Sequence, residues 1–200
     1  MKKKKRNVLL PALMILLSAI FISVIPTEAE GAVYDDTLRL HILAASDSAR
    51  DQEFKIYLRD KILSEYSSVL SVRQSKEEAE RILKESLGEI TEFANSIAKE
   101  EGYEQKIRAE FGNEWYDTRE YGDITLPRGY YSSLRIIIGD GDGQNWWCVI
   151  YPPLCLDVAC ENAPTDDAVK KYSDEEFTLI SKNGYNVKFK ILELVSGLFS

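Results

Sequence analysis

Histidine is all but missing from this chain: His41 is the only one in 200 residues. That scarcity narrows the available chemistry. A Ser/His/Asp site would have to be drawn from Ser46, His41 and Asp47. Ser46 lies on no G-x-S-x-G elbow, and closeness in sequence does not make a triad. A lone histidine on an apolar strand is by default a satisfied core or rim residue. Cysteine is scarce too, with 3 in the chain. Their distance from His41, more than a hundred residues, is no zinc-ligand spacing. Gly139-x-Gly141-x-Gly143 lacks the following helix and the Lys-Ser/Thr of a phosphate-binding loop. Asp140 and Asp142 lack the spaced ligands and closing Glu of a calcium loop. Carboxylates are plentiful, but none is marked by its neighbours as half of a catalytic pair. Repeats and low-complexity blocks are absent, and no cofactor or metal is expected.

Positive charge is also short, except at the start. Lys2 to Lys5 and Arg6 form a cationic cluster, and Val8 to Ile25 then runs 18 residues without a charge. That length lies between a signal-peptide core and a short membrane helix. The cationic flank would stay cytoplasmic, so the rest of the chain is expected to face outward. Thr27-Glu28-Ala29 is a weak cleavage signal, which leaves removal and retention as an anchor both open. The expected division is residues 1–29 as signal peptide or anchor and 30–200 as one exported domain. The domain carries 20 Lys and Arg against 32 Asp and Glu, a net of −12. Such a surface does not recruit nucleic acid or an anionic membrane. Membrane contact is expected only through the N-terminal segment.

All three cysteines fall in the exported part, where two are expected to pair. Cys148–Cys155 is the first choice, because the Pro152-Pro153 bend brings their Cα atoms toward bridging range. Cys155–Cys160 is the second.

After a linker from Thr27 to Asp36, Leu38 to Ala44 reads as a buried strand. Ser46-Asp47-Ser48 supplies N-cap candidates for a helix over about 49–70, marked by Phe54, Tyr57, Leu58, Ile62 and Tyr66. Ser75 and Glu78 open a second helix, about 76–101, whose apolar stripe includes Ala79, Leu83, Leu87, Ile90 and Ala94. Gly102 is placed to end it. Tyr103 to Phe111 alternates as a half-wet strand, and Asn113 to Gly129 reads as irregular. Arg135 to Ile138 and Trp146 to Tyr151 are two further strands, joined by Gly139 to Gly143 with hairpin-loop chemistry. Residues 165–174 look turn-like, Asn183-Gly184 marks another turn, and Val187 to Phe199 closes the chain as helix or strand. The expected fold is α+β, a mainly antiparallel sheet with both helices packed on one face.

The tandem Trp146-Trp147 stands out within Tyr130 to Cys155. On a strand the two rings must point to opposite faces, so one enters the core and the other meets a helix, a loop or a partner. Tryptophan suits a binding surface because it buries a large apolar area and keeps one donor.

Two segments carry a resemblance. Leu38 to Leu63 contains R-L-H-h-x-A-x-S-D (h aliphatic) at Arg39, Leu40, His41, Ile42, Ala44, Ser46 and Asp47. Leu126 to Cys155 contains G-x-G-x-N-W-W-C-V-h-x-P-P-L-C. Together they resemble the stage II sporulation protein R family of endospore-forming bacteria. The resemblance implies a secreted intercellular signal of sporulation, made in the forespore and exported to the intermembrane space. There it would activate a membrane-embedded aspartic protease of the mother cell, which processes the precursor of the early mother-cell sigma factor. The chain would then be a ligand and not an enzyme. Partner contacts are expected at Trp146, Trp147, Asn145, Asp47, His41 and Arg39. The competing expectation is an exported cell-wall hydrolase with His41 and Asp47 in its site.

Overall fold

The computed structural model of the protein describes residues 27–71, 75–154 and 170–181, with scattered positions between 10 and 18. The fold is α+β. Its elements are α1 (Glu28–Asp35), β1 (Leu38–Leu43), α2 (Ala49–Ser71), α3 (Lys76–Glu85), α4 (Leu87–Glu100), β2 (Ile107–Tyr116), β3 (Arg119–Tyr121), β4 (Ile124–Leu126), β5 (Gly129–Ile138), β6 (Asn145–Tyr151) and α5 (Asp174–Ile180). The main sheet has the order β2-β5-β1-β6, and β3 pairs with β4 in a small second sheet.

This sheet is mixed: two of its three ladders are antiparallel, and the central one is parallel. β1 runs parallel to β5 and antiparallel to β6, while β2 runs antiparallel to β5. The expected β5–β6 hairpin does not form, because β1 lies between the two strands. Gly139 to Gly143 is instead a loop that crosses the C-terminal end of β1. Gly143 N donates to Ala44 O at 2.9 Å. A Cβ on Gly143 would stand 2.3 Å from Ser46 O, so the crossing admits only glycine there. Glycine and aspartate suit a tight hairpin and a close crossing alike, so composition could not separate them.

Helix boundaries follow local chemistry. Ser48 opens α2: its hydroxyl accepts from Asp51 N at 3.2 Å and its carbonyl from Gln52 N at 3.0 Å. Ser75 opens α3 by accepting from Glu78 N. The helix expected over 76–101 is two helices, broken at Ser86, whose φ of −93° and ψ of 6° leave the helical region. Ser86 and Gly88 are weak helix formers that flank Leu87, so the turn costs little. The break lets α4 swing onto the start of β2. There Asn95 pairs with both the carbonyl (2.7 Å) and the N–H (3.0 Å) of Ile107, and Thr91 Oγ1 accepts from Ala109 N at 3.0 Å. These bonds cover the first part of an edge strand that would otherwise be open. Gly102, at φ +61°, ends α4 as expected.

Register sorts the side chains into two faces. Leu40 and Ile42 align with Leu134 and Ile136 on β5 and with Cys148 and Trp146 on β6. This apolar face meets the helices: Arg59 of α2 lies over Trp146, and Lys84 of α3 lies over Phe111. The other face carries Arg39, His41, Arg135, Glu114, Tyr131 and Trp147. It is covered at one end by α1, through Tyr34 against Tyr131, and by β3, through Tyr121 against Arg39.

The segment expected as a linker is therefore helical. Thr27 and Glu30 form a reciprocal capping box at the start of α1, and the proposed boundary between residues 29 and 30 falls inside this helix. The stretch expected to be irregular holds the end of β2 together with β3 and β4. Asp174, expected in a turn, opens α5, and Tyr172 just before it hydrogen-bonds Thr37 at 2.9 Å. Residues 165–169, Asn183-Gly184, Val187 to Phe199, Cys155 and Cys160 lie outside the described residues. Among the described residues no helix is long and apolar enough to cross a membrane.

Gly143→Ala is expected to destabilise the domain by about 1–3 kcal/mol, the usual range for over-packing. Urea unfolding measures this. Gly112→Ala is the control, since a Cβ there would meet nothing within 4 Å.

Candidate functional site

Arg39 is fully buried, an unusual fate for a cation. Three tyrosine rings surround its guanidinium carbon, with centroids at 3.9 Å (Tyr116), 5.0 Å (Tyr131) and 5.7 Å (Tyr121). Nη2 donates to the Tyr121 hydroxyl at 2.5 Å. Nε and Nη1 have no hydrogen-bond partner among the described residues. The π faces supply the stabilisation that a carboxylate would otherwise give, a desolvated contact of this kind contributing about 2 kcal/mol or more. Burial, opposed by the Arg39 charge, pushes the Tyr131 hydroxyl well above its ordinary range.

Two residues along β1, His41 faces the same way. Its Nδ1 donates to both oxygens of Glu114 at 2.9 Å, and Nε2 is buried with no partner among the described residues. Trp147 stacks on the imidazole at 5.4 Å between centroids and 24° between planes. Arg119 of β3 then lies over Trp147, with Cζ 3.7 Å from the ring centroid. The result is a layered series of Arg119, Trp147, His41, Tyr116 and Arg39. Glu110, Arg135 and Glu114 extend it across the sheet as alternating charges, at 3.7 Å and 3.8 Å. Burial raises the Glu114 carboxyl, but the His41 hydrogen bond and the charges of His41 and Arg135 outweigh it. The net effect holds Glu114 below its usual range.

The tandem tryptophans do point to opposite faces. Neither is bare: Trp146 is covered by Arg59 at 5.0 Å and Trp147 by Arg119. Asn145 begins β6 opposite Leu43, and its Oδ1 is buried without a partner among the described residues. Asp47 Oδ1 accepts from Gln144 N at 2.7 Å, so the turn after β1 and the loop before β6 are tied together. Lys55 fastens the same loop by donating to Gln144 O at 2.9 Å. Burial lowers the Lys55 ammonium, with the nearby Asp47 charge opposing.

The structure thus gathers Arg39, His41 and Trp147 on one face, places Trp146 on the other, and puts Asn145 and Asp47 at the shared rim. A Ser46/His41/Asp47 triad is not assembled. The Ser46 hydroxyl donates to Asp51, His41 bonds Glu114, and Asp47 bonds Gln144. Among the described residues no group of three His, Cys, Asp or Glu is placed to hold a metal. Cys148 is buried on the helix-facing side of β6, and the other members of either expected pairing lie outside the described residues. Glu114 and Arg119 were not foreseen. The alternation that marks Arg108 and Glu110 as one face continues to Glu114, so reading β2 to its full length would have included it. Nothing in the local pattern links Arg119 to Trp147.

Two substitutions test this account. Arg39→Ala is expected to cost about 2–5 kcal/mol, as for other large-to-small core changes, and Arg39→Met less, since an apolar chain of similar volume fills the cage. Glu114→Gln is expected to cost about 1.5–3 kcal/mol at neutral pH, the range for hydrogen bonds to charged groups. A depressed carboxyl stabilises the fold above its unfolded pKa and loses that contribution as pH falls through its folded value. The deficit of Glu114→Gln should therefore shrink below about pH 4.5, near the free glutamate value. Urea midpoints across pH measure both.

Comparison with known proteins agrees with the two signature segments. Residues 34–160 match the family described as Stage II sporulation protein R (spore_II_R). The chain is 35% identical over 185 residues to the Stage II sporulation protein R of Bacillus subtilis (strain 168), covering 83% of each chain. No solved structure matches. The chain belongs to the stage II sporulation protein R family.

Proposed function

We propose that this protein is the exported signal by which the forespore activates a membrane-embedded aspartic protease of the mother cell, leading to processing of the early sigma-factor precursor. One observation carries the reading beyond family membership. The two signature segments, far apart in sequence, are hydrogen-bonded neighbours (β1 with β6, Asp47 with Gln144) and together form a surface with no assembled nucleophile. The contact surface in this reading is the half-exposed row of Trp147, Arg119, Glu114 and Arg135, with the Asp47–Gln144 turn as its rim. Arg39 supports it from beneath. In the oxidising space outside the forespore, Cys148 pairs with Cys155.

The protein acts as a ligand that shifts the protease toward its active state. The alternative, a cell-wall hydrolase using His41 and Asp47, gains no support from the geometry, since the two side chains serve different partners.

Purified full chain mixed with membranes containing the protease and its precursor should trigger processing. Trp147→Ala and Arg119→Ala should reduce it by more than half with the fold retained by circular dichroism. Full signalling from both folded variants would show that the contact lies elsewhere. Peptidoglycan hydrolysis lost in His41→Ala would instead favour the enzyme.

A further inference from the structure

Neither the core nor the proposed contact surface absorbs the third tryptophan. Trp115 is 50% exposed and its register partner Tyr130 is 64% exposed. Their rings meet edge to face, 5.2 Å apart at 73°. Side-by-side exposure of two large amphipathic rings marks a surface that meets something less polar than water.

Their position indicates what it meets. The pair stands where β2 ends and β5 begins, the same end of the sheet at which α1 docks through Tyr131 on the opposite face. The Tyr34 hydroxyl donates to Arg128 O at 2.9 Å, and the Tyr34 ring lies so close to Gly129 that a Cβ there would sit 2.7 Å away. α1 follows almost directly on the uncharged run that ends at Ile25. An eight-residue helix spans about 12 Å, so the N-terminal segment joins the domain within about that distance of Tyr34. The Asp47–Gln144 rim is at the opposite end of the sheet, where β1 ends and β6 begins.

We propose that Trp115 and Tyr130 seat the domain on the lipid–water interface of the membrane entered by residues 8–25, a second membrane contact besides the N-terminal segment. The inference rests on the export reading above. Tryptophan and tyrosine rings concentrate at bilayer interfaces because one end is apolar and the other is wet. A domain of net charge −12 gains nothing from anionic lipid, which leaves uncharged aromatic contact with zwitterionic headgroups as the suitable attachment. Seated in this way, a ten-residue β5 of about 33 Å holds the Asp47–Gln144 rim away from the bilayer and toward a partner.

The test uses full-length protein in phosphatidylcholine vesicles that include phosphatidylcholine brominated near the carbonyl end of its acyl chains. Tryptophan fluorescence should be quenched, and Trp115→Phe should remove more than half of that quenching. No quenching in the wild type, or equal quenching in Trp115→Phe, overturns the proposal. Energy transfer between labelled copies that disappears in Trp115→Ser/Tyr130→Ser would put a second copy on the patch and also overturn it. Quenching does not depend on the protease. Intact quenching without precursor processing therefore supports the seating and counts only against the activation reading.

Discussion

β1 is the element on which the rest of the structure depends. Its six residues pair on both edges, with β5 and β6, and five of the six are buried. An isolated β5–β6 hairpin would have satisfied its own hydrogen bonds through the Gly139–Gly143 loop. Inserting β1 between them instead makes that loop cross the end of β1, where Gly143 passes against Ser46. The same insertion brings Asp47 to Gln144, and it sets His41 beside Trp147 and Ile42 beside Trp146. The two signature segments are therefore constrained together. One supplies the central strand, and the other supplies the loop and edge strand that close around it.

A buried strand with Arg39 and His41 on one face creates a desolvation problem, which the surrounding residues resolve differently for each. His41 has a carboxylate, Glu114, within hydrogen-bond reach. Arg39 has tyrosine faces and one hydroxyl. Aromatic caging leaves the guanidinium charge unneutralised, so the same charge opposes burial at Tyr116 and Tyr131 by favouring their ionised forms. Removing the side chain without replacing its volume leaves a cavity among three rings, whereas replacing it with an apolar chain leaves contacts largely intact. This makes Arg39 a scaffold residue and assigns the accessible chemistry of this face to Trp147, Arg119, Glu114 and Arg135.

Much of the fold was legible because local chemistry was enough to specify it. Ser48 and Ser75 cap helices as their spacing implies, Gly102 takes the left-handed turn that ends α4, and the two tryptophans take opposite faces as any strand demands. The misreadings arose where local patterns are ambiguous. Ser86-Leu87-Gly88 is compatible with a continuous helix until α4 must reach the edge of β2 with Asn95 and Thr91. Gly139 to Gly143 fits a hairpin until β1 occupies the space beside β5. The site was legible in part: Arg39, His41, Asp47, Asn145 and both tryptophans belong to a shared structure. Glu114 continues the alternation of Arg108 and Glu110 past the expected end of the strand, whereas Arg119 joins by tertiary contact alone, for which the sequence carries no short-range signal.

The two ends of the sheet have different chemistry, and under the two proposals above that difference bears on how a small acidic domain would present a signal near a membrane. Asp47, Gln144 and Lys55 tie down one end with directional hydrogen bonds, which fix geometry. Trp115 and Tyr130 at the other end make one edge-to-face contact and leave half or more of their surface uncovered. A specific protein contact benefits from the first arrangement because ordered polar groups lose little entropy on binding. A bilayer interface requires no fixed register, so the second arrangement is sufficient there. Because α1 joins the domain at the aromatic end, any pull from the N-terminal segment is directed there. In that arrangement the Asp47–Gln144 rim, at the far end of the sheet, is left free to meet the proposed partner.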